Sequence, residues 1–364
     1  MAPIDGSEAT IWTIQHVLAL VEIWALVAEH SGFVGAWRLT GVCRTARAGA
    51  KEWLGTLPSL VVAGGFEAWG QGPMSEVWRL DLATLQWGPM PTLFTTRYSH
   101  ACCTVRGALV VLGGYIDDEE EEDVITSSVE TLSGGAGDGV FTSLPPLSCG
   151  GIAGAAAIVV EESTSAAGQM LLLGGRDEQG VALSTVHLVD VATGVCTPQP
   201  TLLHGRSLLS AVRLPDGRII CAGGSLAQTL VEVWGSPGGG ASNAAWTWTQ
   251  LPDMSVGRGG CCGCVMSDGR FAVLGGRNDS GDTSSCEALL VGVDAHWHPL
   301  PPMHHARSDC TCAAVAGCIL VAGGGTAFTE VFTEVYDEAL DRWIRLPFDL
   351  PVDLPLELMG SALM

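Results

Sequence analysis

The chain has 364 residues, of which 48 are glycine, about twice the usual share, and its 17 Lys and Arg against 39 Asp and Glu give a formal charge of −22. Hydrophobic residues make up 47% and charged residues 15%, enough apolar material for a large core and too little charge density for a generally disordered chain. The acidic balance excludes nucleic acid and anionic membrane surfaces as expected partners, because both are bound by Lys and Arg that displace counterions.

From the N-terminus, MAPIDGSEAT has no basic n-region, and the apolar stretch from Val17 to Ala28 contains Glu22, so neither a signal peptide nor a membrane span is expected. Ile14, Val17, Leu18, Val21, Ile23, Leu26 and Val27 fall near helical spacing and end at Gly32. A second piece, AWRLTGVCRTARAGAKEWL from Ala36, is also helix-compatible, with Trp37, Leu39, Val42 and Cys43 apolar. Residues 1–54 are thus expected to form a module of two or three helices.

From about residue 55 a short apolar run ending in two glycines recurs six times: SLVVAGG, ALVVLGG, QMLLLGG, RIICAGG, RFAVLGG and CILVAGG. The doublets are Gly64-Gly65, Gly113-Gly114, Gly174-Gly175, Gly223-Gly224, Gly275-Gly276 and Gly323-Gly324, spaced by 49, 61, 49, 52 and 48 residues. Such a period marks a repeat architecture. After each doublet comes an alternating segment that reads as a half-buried strand, for example SEVWRLD from Ser75, STVHLVD from Ser184, VEVW from Val231 and EVFTEVYD from Glu330. An aromatic usually follows: Trp87, Phe141, Trp246 or Trp248, Trp297, Trp343. Next come a proline-containing turn and, in four units, an arginine: Arg97, Arg206, Arg258 and Arg307. Four short strands per unit are predicted, the make-up of a propeller blade.

This set of features resembles the kelch repeat over residues 55–364, and the resemblance implies an all-β, six-bladed propeller behind the helical module. The third unit departs from the pattern, with Gly150-Gly151 where an arginine is expected and Cys196 in place of the late aromatic. The resemblance implies that each arginine pairs with an acid near the third strand, the candidates being Glu76, Glu130, Glu232, Glu287 and Glu330 or Glu334. The first unit lacks a first strand of its own, and residues 356–364 are expected to supply it, joining the ends and removing exposed sheet edges.

The helical segment, read together with the propeller behind it, is similar to a degenerate F-box: an apolar helix, then Trp37-Arg38-Leu39-x-x-Val42-Cys43-Arg44. The usual Leu-Pro-x-Glu opening is missing, with Gln15-His16-Val17-Leu18 roughly in its place. That resemblance implies a Skp-type adaptor of a cullin-RING ubiquitin ligase as partner, contacted through Val17, Leu18, Val21, Trp24, Trp37 and Leu39, with the substrate held by the propeller. A helical cap without any ligase link accounts for the same pattern. Lys51 is the only lysine, which suits a ligase subunit and equally an arginine-biased composition.

Connections after the second and fourth strands of a propeller share a face, and here they gather Arg97, Arg176, Arg206, Arg258, Arg277 and Arg307 with His204, His304 and His305. They form either a cationic rim for a carboxylate-bearing protein partner or, for the four repeat arginines, buried ion pairs. The run Asp117 to Asp123 is expected to be an extended acidic loop, and Ser133 to Gly139 a flexible connection. The cysteines number 13, an odd count, and several adjoin one another, so reduced thiols in a cytoplasmic or nuclear protein are expected. On that reading the sequon Asn278-Asp279-Ser280 stays unmodified. Cys261, Cys262, Cys264, Cys310 and Cys312, with His304 and His305 nearby, suggest zinc at first sight, but Cys102-Cys103 recurs at the same repeat position, which points to small buried strand residues. No metal or cofactor is expected. No nucleophile elbow, phosphate loop or His-Glu-x-x-His is present, and Tyr98, Tyr115 and Tyr336 fall in different units. The chain therefore reads as a protein-recognition propeller, a substrate-binding subunit of a ubiquitin ligase or an interaction scaffold, with a small-ligand or catalytic propeller as the remaining alternative.

Overall fold

The computed structural model describes residues 20–67, 72–117, 123–133, 139–160, 168–225, 228–235, 246–292, 294–325, 332–347, 349–351 and 356–364. Val17, Leu18, Glu330, most of the acidic run and the core of the glycine-rich connection lie outside them. The chain divides into two compact units, one of residues up to Leu57 together with Leu82–Thr84, the other of Pro58–Asp81 and Leu85–Met364.

In the first unit a helix spans Val21–Leu39 and a second spans Arg44–Leu54. Ala28, Phe33 and Ala36 of the first and Ala46, Ala50 and Leu54 of the second are buried. Small residues let the helices approach closely: a Cβ on Gly49 would lie 2.4 Å from the Val21 carbonyl oxygen. The expected break at Gly32 is a kink rather than an end, with φ 67° and helix on both sides. The piece read as one helix from Ala36 is split instead. Thr40 turns its hydroxyl onto the Trp37 carbonyl at 2.7 Å, and Cys43 caps the next helix by accepting the Ala46 N–H. No described helix is long and apolar enough to cross a membrane.

The second unit is built from small antiparallel sheets, six of them four-stranded. In spatial order the first holds Gly360–Leu363, Leu60–Ala63, Val77–Asp81 and Gln86–Met90; the second Ala101–Val105, Ala108–Leu112, Val129–Leu132 and Phe141–Leu144; the third Ala156–Val160, Gln169–Leu173, Val186–Asp190 and Cys196–Gln199. The fourth holds Ser210–Arg213, Ile219–Ala222, Val231–Gly235 and Thr247–Leu251; the fifth Cys262–Val265, Phe271–Leu274, Cys286–Leu289 and Trp297–Leu300; the sixth Thr311–Val315, Cys318–Ala322, Glu334–Asp337 and Arg342–Arg345. The strand before each double glycine is covered on both faces, as a continuous apolar run requires. Hydrophobic clusters lie between consecutive sheets, such as Val110, Leu112 and Val129 of the second with Met170, Leu172 and Val189 of the third. The C-terminal strand pairs with Leu60–Ala63, Leu363 opposite Leu60 and Gly360 opposite Ala63. First strands touch in sequence around the six sheets, and that of the sixth touches Gly360–Leu363. The fold is that of a β-propeller.

The glycine doublets have a specific cause. All twelve residues have positive φ, between 53° and 68° for the first of each pair. A Cβ on Gly174, Gly223 or Gly275 would lie 2.4 Å from the carbonyl oxygen of Arg206, Arg258 or Arg307 respectively. The crowding is therefore with the arginine turn. The cysteine runs sit on first strands as expected, Cys102 and Cys103 in the second sheet, Cys262 and Cys264 in the fifth and Cys312 in the sixth. All 13 cysteines are free.

Candidate binding face

The turn leading from one sheet to the next is held by the repeated arginine. Arg97, Arg206, Arg258 and Arg307 are fully buried. Each carbonyl accepts the N–H of the second doublet glycine of the sheet just left, Gly65, Gly175, Gly224 or Gly276, at 2.8 to 3.1 Å. Each guanidinium donates to the first glycine's carbonyl in the sheet ahead, Gly113, Gly223, Gly275 or Gly323, at 2.7 to 3.0 Å. It also pairs with a glutamate on that sheet's third strand, respectively Glu130, Glu232, Glu287 and Glu334. Those carboxylates take further N–H donors from the same turn, Phe94 on Glu130, Leu203 on Glu232, Ser255 on Glu287 and His304 on Glu334. These added bonds are what let a buried pair keep its charges. The arginine is a rivet between neighbouring sheets. Ile152 and Leu356 occupy the other two turns and keep only the backbone half, accepting from Gly114 and Gly324 at 2.8 and 2.9 Å. Glu76, expected as a partner, accepts instead from the N–H of Ser75.

This places every residue expected on the face. The four repeat arginines are not a cationic rim, because their guanidinium groups are spent inside the turns. His204 and His304 lie with Nδ1 3.2 and 2.6 Å from the same buried Glu232 and Glu334, their side chains about half exposed, and His305 stands 3.7 Å from Glu334. Arg277 is 63% exposed and pairs with the buried Asp282 at 3.0 Å. Arg176 is half-buried and donates from Nε to the Ser207 hydroxyl at 2.9 Å. A partner reaching this face meets Arg176 and Arg277 as its arginines from the expected set.

Two residues beyond each turn stands a feature the sequence does not announce. Ser99, Gly154, Leu208, Gly260, Asp309 and Leu358 all have positive φ, between 50° and 63°. Their backbones form a closed circle: Ser99 donates to Leu358, Gly154 to Ser99, Leu208 to Gly154, Gly260 to Leu208, Asp309 to Gly260 and Leu358 to Asp309, at 2.6 to 3.1 Å. This collar, with the residue after each member, encloses a cavity of about 130 Å³. Within it His100 is held neutral, its pKa lowered to about 3 first by burial and then by the charge of Arg97. Asp309 is raised to about 7 by burial and then by the nearby charge of Glu357, with Asp282 adding to it and Ser308 and Arg277 opposing.

Beside the collar a second cavity of about 270 Å³ is lined by Tyr98, Tyr115, Asp123, Arg176 and Ser207. Tyr98 and Tyr115 stack with centroids 5.0 Å apart, and Phe66 meets Tyr98 edge-on at 5.1 Å. Burial, and then a hydrogen bond to Asp123, hold the Tyr98 phenol protonated well above its usual range. Aromatic faces with one arginine and one carboxylate make an amphipathic socket. Among the described residues no group of three or more His, Cys, Asp and Glu is arranged to hold a metal ion.

On the helical unit, Val21, Trp24, Trp37 and Leu39 are half-buried, and the Trp37 indole donates to the Leu82 carbonyl at 3.1 Å. Its most exposed apolar side chains are others, Leu20, Leu26, Val27 and Val42. No family model matches the chain. Among solved structures it is similar to that of YjhT, with a TM-score of 0.59 and 14% identity, covering 77% of this chain and 94% of that one. At that identity the likeness is one of fold alone, a β-propeller.

Proposed function

We propose that this chain is a six-bladed kelch-type propeller, closed by its C-terminal strand, that recognises a protein partner on the double-glycine face. The collar of six hydrogen bonds and the pairing of Gly360–Leu363 with Leu60–Ala63 support closure. The observation that carries recognition is the pair of cavities at this face. At about 130 and 270 Å³ they fall below the ~300 to 1,000 Å³ usual for small-molecule sites. The larger is lined by tyrosines and an arginine, the residue types that anchor protein interfaces. A single side chain or chain end of a partner fits such a socket.

The exposed Leu20, Leu26, Val27 and Val42 favour a second surface on the helical unit, and with the F-box-like stretch they support a role as the substrate-binding subunit of a cullin-RING ubiquitin ligase. Co-expression with a Skp-type adaptor tests this. A stoichiometric complex is expected, and Leu26→Asp with Val27→Asp is expected to abolish it while leaving the melting temperature within about 2 °C, since both side chains are exposed. Intact protein that never co-purifies with the adaptor would leave an interaction scaffold without a ligase link.

A further inference from the structure

The outer strands repeat one contact between sheets. Trp248, Trp297 and Trp343 each donate an indole N–H to a proline carbonyl in the turn leaving the preceding sheet, Pro200, Pro252 and Pro301, at 2.8 to 2.9 Å. The strand register puts Cys196 at the same place in the third sheet. It faces Val189, as Trp248 faces Trp234, Trp297 faces Leu289 and Trp343 faces Tyr336. The turn it meets, Pro145-Pro146-Leu147-Ser148-Cys149, carries a second cysteine.

The two segments are fastened together. Ser148 N–H donates to the Gly194 carbonyl at 2.9 Å, and Cys196 N–H donates to the Ser148 hydroxyl at 2.9 Å. The chains run so close that a Cβ on Gly194 would fall 2.2 Å from the Pro146 carbonyl oxygen. Cys149 is exposed and Cys196 half-buried. The Cys196 thiol lies 3.5 Å from the Gly194 carbonyl oxygen, and its interaction with the neighbouring Cys149 pushes Cys196 down to about 6 and Cys149 up. A second thiol pair, Cys262 and Cys310, has its sulfurs 3.3 Å apart, but Cys262 is buried in its strand and Cys310 is half-buried beside the collar cavity. Access separates the two pairs, since oxidants reach exposed thiolates first.

We propose that Cys149 and Cys196 form a peroxide-responsive dithiol that closes to a disulfide where the fourth, fifth and sixth sheets use a tryptophan–proline contact. The Cys196 thiolate attacks hydrogen peroxide, the O–O bond breaks, and sulfenic acid and hydroxide result. The Cys149 sulfur then attacks the Cys196 sulfur, forming the S–S bond and releasing the sulfenic oxygen as water. Over both steps the two thiols lose two electrons and two protons, and the peroxide is reduced to two waters.

The test uses the full chain, titrated with hydrogen peroxide at pH 7, then alkylated and digested with trypsin. Cleavage after arginine isolates Cys149 in residues 107–176 and Cys196 in residues 177–206, one cysteine in each. The expected result is a peptide pair linked through these cysteines, lost on treatment with dithiothreitol. In Cys149→Ser, sulfenate trapped by dimedone is expected at Cys196, and the midpoint of its pH-dependent alkylation is expected to move up. Cys43, exposed and bonded to the Thr45 hydroxyl and the Ala46 N–H, reports that oxidant was delivered. The proposal is overturned if Cys43 is sulfenylated while Cys149 and Cys196 stay reduced, if Cys262 links to Cys310 in their place, or if the Cys196 midpoint is the same in both chains.

Discussion

Arg258 and Arg277 show how differently two arginines of one face behave. Arg258 is buried with its guanidinium divided among Gly275, Ser285 and Glu287, so Arg258→Ala strands a buried carboxylate. A loss of about 3 to 5 kcal/mol is expected in urea denaturation. Arg277 is itself exposed, but its partner Asp282 is buried, so Arg277→Ala also leaves a carboxylate without its ion-pair partner and is expected to cost about 1 to 3 kcal/mol, less than Arg258→Ala. Asp309 supplies a pH dependence. Its pKa rises from the usual carboxylate range to about 7 on folding, so between those limits the folded chain keeps a proton that the unfolded chain has released. Stability contributed by this group is present at low pH and falls as pH rises through that window. Asp309→Asn, which suits the positive φ there, is expected to remove that decline, seen as a smaller difference between urea midpoints at pH 5 and pH 8. The rivet arginines could be read from sequence because type and spacing repeat. The collar could not: Ser99, Leu208, Asp309 and Leu358 give no sign of positive φ, which their backbone bonds to neighbouring turns impose. Cys149 was equally silent, since only the folded turn brings it to Cys196.

At the scale of elements, the strands were legible wherever an apolar run ended in a double glycine, because burial on both faces demands that run and the arginine carbonyl demands the glycines. The late aromatic was ambiguous in the fourth sheet. The structure gives the tie to Trp248, which reaches Pro200, while Trp246 lies edge-on against Trp234. The helices were less legible, because the stop after Leu39 depends on a threonine hydroxyl and a cysteine cap rather than on hydrophobic spacing. The C-terminal strand has a mechanical consequence. Without it Leu60–Ala63 becomes an unpaired edge. Removing residues 356–364 also takes away Leu356, Leu358 and two of the collar's six bonds. That truncation is expected to lower the melting temperature by on the order of 10 °C.

At the scale of the whole molecule, the sheets of the second unit are held to one another by parts that recur. Rivet arginines, doublet glycines and collar backbone recur from sheet to sheet; Tyr98, Tyr115, Arg176, Arg277, Cys149 and Cys196 do not. The proposed recognition rests on Tyr98, Tyr115, Arg176 and Arg277, and the proposed closure rests on the pairing of Gly360–Leu363 with Leu60–Ala63. Hydrogen exchange read by mass spectrometry tests that closure most directly. Amides of Gly360–Leu363 are predicted to exchange as slowly as those of Leu60–Ala63 and of the inner strands Ala101–Val105 and Ala108–Leu112, in one cooperative unit. Exchange of Gly360–Leu363 at the rate of unstructured chain, with the other inner strands still protected, would contradict it.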